Sequence, residues 1–311
     1  MSVEFNKFFK RHSLASTYKP TLAKCLLDLG DYEKNEGSQW VKKQNDTYIV
    51  NLHFVAARFL RYYHPLKFKF KLKQESTKQT VAIYDILQEN KDLFDELRTK
   101  DTPSKNDMCT DLFQDVREKT IKHPLMRVQV LPKLLKDCNI YTISDDKNFI
   151  SVKKDVVDHM YSNKDVLESA LNHMISKYLE NCNAAPNIST KLDEKLKRKN
   201  LSAKPKNEVL EIANYTCFYC PAKNVKFDMD HFVPWNYLGQ TEQYNMVPAC
   251  KHCNPSKNDK LTIEKFLDKL IKRNKKLEKL PMGYSEELMR NMYENCRLEY
   301  HGRDNELWQS A

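Results

Sequence analysis

The chain has 311 residues, 41% of them hydrophobic and 30% charged, which supports a buried core in one or two domains and argues against an intrinsically disordered chain. Five glycines leave little material for Gly-rich nucleotide-binding loops, and no apolar run approaches the roughly 18 residues of a membrane span. The net charge of +10 is gathered into blocks of about +4 at 67–78 and about +5 each at 186–206 and 255–280, a pattern suited to a polyanion such as nucleic acid.

Taken in chain order, residues 20–29 (PTLAKCLLDL) have helical spacing, with a proline suited to a first turn. Residues 39–50 (QWVKKQNDTYIV) predict a hairpin around Gln44, Asn45 and Asp46, and 53–63 (HFVAARFLRYY) a buried helix. Residues 67–73 alternate Lys with Phe or Leu. As a strand they would set Lys67, Lys69, Lys71 and Lys73 on one face, either a phosphate-contacting ridge or a lysine-protected edge.

A faint echo follows. Residues 130–138 (VLPKLLKDC) predict a helix, 141–152 a hairpin turning at Asp145, Asp146 and Lys147, and 155–161 another helix. Helix-plus-hairpin units of this kind resemble winged-helix DNA-binding modules. Residues 167–179 form an amphipathic helix. The Pro-, Ser-, Lys- and Asn-rich stretch 186–206 reads as a basic linker between a helical region, 1–185, and a second domain, 207–311. The fold class expected is α+β, mostly α.

Of nine cysteines, Cys217, Cys220, Cys250 and Cys253 form two CxxC pairs. Such pairs complete a tetrahedral Zn²⁺ site, and four thiolates leave no coordination position open for chemistry. The zinc is therefore expected to be structural, stapling a small domain. His252, inside the second knuckle, is the alternative fourth ligand. Cys25, Cys109, Cys138, Cys182 and Cys296 lack ligand spacing and read as inert thiols. This usage, with no signal-peptide core in MSVEFNKFFKRHS, suggests a reducing, cytoplasmic setting.

Between and after the knuckles the chain reads DMDHFVPWN, then YNMVPACKHCNPSKND. Over residues 217–267 it resembles the HNH nuclease family, a ββα-metal fold with paired zinc knuckles. Asn254 stands where many members have histidine. The resemblance implies a metal-dependent endonuclease acting on DNA, with double-stranded DNA the expected partner. His231 would be the general base, Asp230 and Asn254 the ligands of a catalytic Mg²⁺ or Mn²⁺, and Asn245 the brace that orients His231. Neutral imidazole suits proton abstraction, and successive strand residues point to opposite sides, so Asp230 and His231 can serve metal and water separately. Lys257 and Lys260 are candidate phosphate contacts, with a solvated helix face as the plain alternative. Trp235 and Tyr237 are expected to pack the loop, and Asp228 is either an auxiliary acid or a surface residue. Restriction or other anti-phage defence is the role expected, with a homing endonuclease or a nuclease subunit of a larger complex as alternatives. A zinc-stapled DNA-binding module is the non-enzymatic one. A homodimer, or a protein partner for the N-terminal region, stays open.

Overall fold

The computed structural model describes residues 16–35, 40–74, 81–92, 111–121, 140–183, 185–193, 196–281, 284–300 and 307–310. The protein is mostly helical with two small sheets. Contacts divide it into two compact units, Met1–Lys69 with Lys73–Cys182, and Phe70–Leu72 with Asn183–Ala311. Among the described residues no helix is long and apolar enough to cross a membrane.

The first unit is built from α1 (Tyr18–Asn35), β1 (Val41–Gln44), β2 (Thr47–Asn51), α2 (Leu52–His64), α3 (Ala82–Glu89), α4 (Asp111–Val116), β3 (Thr142–Ile143), β4 (Phe149–Lys153), α5 (Lys154–Ser162) and α6 (Lys164–Glu180). Pro20 lies in the first turn of α1, where its missing N–H costs nothing. Asn51 caps α2, its side-chain oxygen accepting from His53 N at 2.9 Å. Phe54, Val55, Phe59 and Tyr63 then bury completely or nearly so, each stabilising the unit by roughly 1.5–3 kcal/mol. Buried Asp28 of α1 accepts from Tyr62 at 2.7 Å and lies 3.4 Å from Lys164 and 3.7 Å from Arg58.

The two predicted hairpins form one antiparallel sheet, in the order β1-β2-β4-β3. Asn45 and Lys147 take left-handed turn conformations, φ 51° and 56°, and each precedes a five-residue strand and then a helix. The central ladder pairs Thr47 with Lys153 and Asn51 with Phe149, so equivalent positions of the two copies face each other across Ile49 and Ser151. This is the geometry of a local two-fold. The two hairpins are thus joined through their second strands, β2 and β4. The helix expected at 130–138 lies outside the described residues, as do Cys109 and Cys138.

Residues 67–73 are not a strand. α2 continues into a wide helical turn, Pro65–Lys69, and Lys71 has φ 50°, incompatible with extended pairing. Leu66, Phe70 and Leu72 are buried, and the helical turn followed by the left-handed Lys71 replaces the alternating strand. Lys67, Lys69 and Lys71 therefore do not form a strand-face ridge. Lys67 Nζ donates to the Tyr84 carbonyl, and Lys71 lies 4.0 Å from Asp259.

The second unit holds α7 (Ile188–Lys191), α8 (Ala203–Ile212), β5 (Phe227–His231), α9 (Trp235–Leu238), β6 (Met246–Cys250), α10 (Cys253–Lys257), α11 (Glu264–Asn274) and α12 (Glu286–Asn295). β5 and β6 form an antiparallel pair, Asp230 opposite Val247 and His231 opposite Met246. Phe266, Leu270 and Ile271 of α11 and Met289 and Tyr293 of α12 join Phe218, Phe232, Val247 and Trp308 in one core, so both helices cover the small sheet. Ser285 caps α12 through Leu288 N at 3.0 Å.

The stretch read as a linker is packed where it meets this core, with Ile188 and Lys191 buried. Lys191 Nζ donates to the carbonyls of Pro186, at 2.8 Å, and Tyr237. Asn187 Nδ2 donates to Leu238 O at 2.9 Å. These contacts close the C-terminal end of α9, where Gly239 adopts φ 71° and a Cβ would touch the Lys191 stem at 3.4 Å. Burial pushes the Lys191 ammonium down from 10.5 to about 7, and the nearby Cys296 opposes this. The neutral amine still has two N–H groups for its two carbonyls. Between about pH 7 and 10.5 the folded chain binds fewer protons here than the unfolded chain, so Lys191 makes stability rise with pH over that window and adds no slope below it. Urea unfolding of wild type and Lys191→Met across pH 7–10 should show a stability difference that moves in favour of wild type as pH rises.

Candidate active site and metal centre

The four knuckle cysteines converge. The Sγ atoms of Cys217, Cys220, Cys250 and Cys253 all lie within 4.8 Å of one another, and Cys220 and Cys250 Sγ are 3.7 Å apart. Four sulfurs around Zn²⁺ at about 2.3 Å sit about 3.8 Å apart, so the cluster has the dimensions of a zinc site. Backbone amides already point at the sulfurs, Cys250 N at Cys217 Sγ (3.4 Å) and Cys253 N at Cys250 Sγ (3.5 Å). Burial, then the neighbouring Cys220 and Cys250, push the Cys253 thiol well up. A cation is what lets such a group of thiols ionise together.

β5 leads from this cluster to the Asp-His pair. Its exposed or half-buried residues end at Asp230 and His231, both buried; Asp228 is exposed, a surface residue. Asp230 Oδ2 accepts from the Tyr219 hydroxyl at 2.6 Å and pairs with Lys257 Nζ at 2.9 Å. His231 has a separate set of partners. Its Nδ1 lies 2.8 Å from Arg198 Nη2 and its Nε2 3.0 Å from Thr241 Oγ1. The adjacent carboxylate and imidazole thus work in different surroundings, as alternation along a strand requires.

The hydrogen bonds assign the imidazole tautomer. Thr241 Oγ1 gives its one hydrogen to the Lys199 carbonyl at 2.9 Å, so it accepts from Nε2–H. A guanidinium can only donate, so Nδ1 is the accepting, unprotonated nitrogen. Burial, followed by the charges of Arg198 and Lys257, pushes the His231 pKa down to about 3, in keeping with a neutral ring.

Asn245 is fully buried. Its Oδ1 accepts from Val233 N and its Nδ2 donates to Val233 O, both at 2.9 Å, while its own carbonyl accepts from Phe232 N at 2.8 Å. It pins the loop that leaves His231. Lys257 is also fully buried and donates to the His231 carbonyl at 2.8 Å as well as to Asp230. It is therefore neither a solvated helix residue nor an exposed phosphate contact, because its charge is spent inside the site. Lys260 is exposed, Asn254 is half-buried at the start of α10, and His252 is exposed. Asp230 and Asn254 offer carboxylate and amide oxygens, donors that suit Mg²⁺ or Mn²⁺ better than zinc. Trp235 and Tyr237 are buried, and Phe70 lies 6.5 Å from Trp235, so both pack the loop.

Three contributors were invisible in the sequence. Tyr219 is an unmarked residue inside the first knuckle, Thr241 stands in no motif, and Arg198 is one charge in a basic run. Local spacing carries no signal for any of them.

Residues 217–260 match the family model described as HNH endonuclease. No curated protein and no solved structure matches the chain. The chain carries a nuclease-type domain.

Two outcomes follow from the geometry. Purified protein should hold one Zn²⁺ per chain by elemental analysis, and a strong chelator or Cys253→Ser should remove it and expose the Trp308 core to solvent, read by fluorescence. Lys257→Met leaves Asp230 buried without its counter-charge and should cost about 3–5 kcal/mol in denaturant unfolding.

Proposed function

We propose that the chain is a metal-dependent endonuclease that hydrolyses DNA phosphodiester bonds, with His231 as general base and Asp230 and Asn254 holding Mg²⁺ or Mn²⁺. The observation that carries this reading is the pair at the end of β5, with the Asp230 carboxylate facing Tyr219 and Lys257 and the His231 imidazole facing Arg198 and Thr241. A zinc-stapled module that merely held nucleic acid would have no use for a buried imidazole with a fixed tautomer.

In this reading the proton on Nε2 is retained by Thr241, and Nδ1 takes the proton of the attacking water. The water oxygen bonds to phosphorus and the P–O3′ bond breaks. The leaving 3′ oxygen takes a proton from solvent, giving 5′-phosphate and 3′-hydroxyl ends. A divalent ion, when bound, supplies Lewis-acid stabilisation of the phosphate and the leaving oxygen. Asn245 acts as a brace, holding the loop after His231 so that the ring does not swing. Substrate phosphate brings negative charge next to Arg198 and Lys257, which offsets two of the influences that keep His231 a weak base in the free chain. A single such site cuts one strand, so a double cut needs two copies or successive nicks. The combination of one HNH domain with a separate helical unit in one basic chain supports placement among restriction or other anti-phage nucleases.

The test is supercoiled plasmid with and without Mg²⁺, beside His231→Ala. Wild type should nick it only with the metal, and His231→Ala should lose at least about 100-fold in rate with its zinc retained. Full activity in that variant would remove His231 as the base, whereas DNA binding without cutting by wild type would support the binding-module alternative.

A further inference from the structure

Arg198 lies outside the region matched to the HNH family, in the irregular stretch between α7 and α8, and it is exposed. Its Nη2 nevertheless donates to Nδ1 of His231 at 2.8 Å, the nitrogen that the Thr241–Lys199 relay leaves unprotonated. A guanidinium is built to grip a carboxylate or phosphate through two parallel hydrogen bonds, yet among the described residues no carboxylate pairs with Arg198. It rests instead on a neutral ring, a poorer acceptor. The charges around it are unbalanced in the same sense. Lys197 and Lys199 flank it, both exposed, and the Asp230 carboxylate is already matched by Lys257. Arg198 thus holds a neutral nitrogen and, among the described residues, no carboxylate.

We propose that Arg198 is a phosphate-binding residue of this site, parked on His231 Nδ1 in the free chain and transferred to the phosphodiester when substrate enters. The transfer does two things at once. It gives the phosphate a bidentate donor that can hold the charge developing on its oxygens, and it uncovers the nitrogen that must receive the water's proton. The inference rests on the reading of His231 as the base. It adds to the site a residue contributed by the basic stretch preceding α8.

The experiment compares full-length wild type, Arg198→Ala and Arg198→Lys on a short labelled DNA duplex. Zinc content and circular dichroism establish that each is folded, and Arg198→Lys keeps the comparison decisive if the alanine variant is not. Arg198→Ala is expected to cut about 100-fold more slowly at saturating duplex, to bind the duplex more weakly without added divalent metal, and to regain part of its rate when guanidinium ion is added. Arg198→Lys should fall between. In ¹⁵N-histidine spectra at one fixed pH, the wild-type His231 Nδ1 signal should move on duplex binding toward its position in Arg198→Ala. An unchanged rate in Arg198→Ala overturns the proposal. A faster rate also overturns it, because the guanidinium would then be only a plug. So does an Nδ1 signal that stays put while duplex is bound. If wild type cuts no DNA at all, the nuclease reading falls, and the displacement spectrum alone decides whether Arg198 takes phosphate.

Discussion

One buried ammonium ties this site together. Lys257 is fully removed from water, and unlike buried Lys191, whose hydrogen-bond partners are both carbonyls, it has a carboxylate opposite it. The Asp230 carboxylate matches its charge and the His231 carbonyl accepts a hydrogen. Because Lys257 closes the helix that begins at Cys253, this contact joins the second zinc knuckle to the end of β5. The cysteine cluster and the Asp230–His231 pair are thereby mechanically linked. Tyr219 adds a second contact to the same carboxylate oxygen, Oδ2, and fixes the side chain at the strand end.

His231 shows the same economy from the other side. Asn245 holds the loop behind it, Thr241 holds its Nε2 proton, and Arg198 covers Nδ1. Two of these three come from within the HNH match and one from the basic stretch before it. The match therefore describes a scaffold, while the state of the imidazole is set partly by residues that the scaffold does not include.

The first unit shows how short patterns mislead. The Lys/Phe alternation at 67–73 is a fair strand signal over so few residues. It lost because the chain leaves α2 through a wide helical turn and Lys71 then takes φ 50°, which a paired strand does not accommodate. The hairpins at 39–50 and 141–152 were legible because their turn residues are suited to left-handed conformations or to tight turns. That the two would pair strand to strand about a local two-fold was not legible, since register between distant segments leaves no mark on either one.

The sequence by itself determined the four-cysteine cluster, the Asp-His pair and the place of Asn245 opposite it, because these depend on residue types at short, fixed spacing: two thiols across a knuckle, two successive strand residues, one amide opposite them. Tertiary structure alone decided which charges meet. Lys257 turned inward and Arg198 reached His231 from outside the motif, and both outcomes depend on long-range packing that brings side chains together without regard to their separation along the chain. That is also why the protonation state of His231 could not be read in advance. Electrostatic environment is a property of the assembled site, summed over groups that no local pattern links.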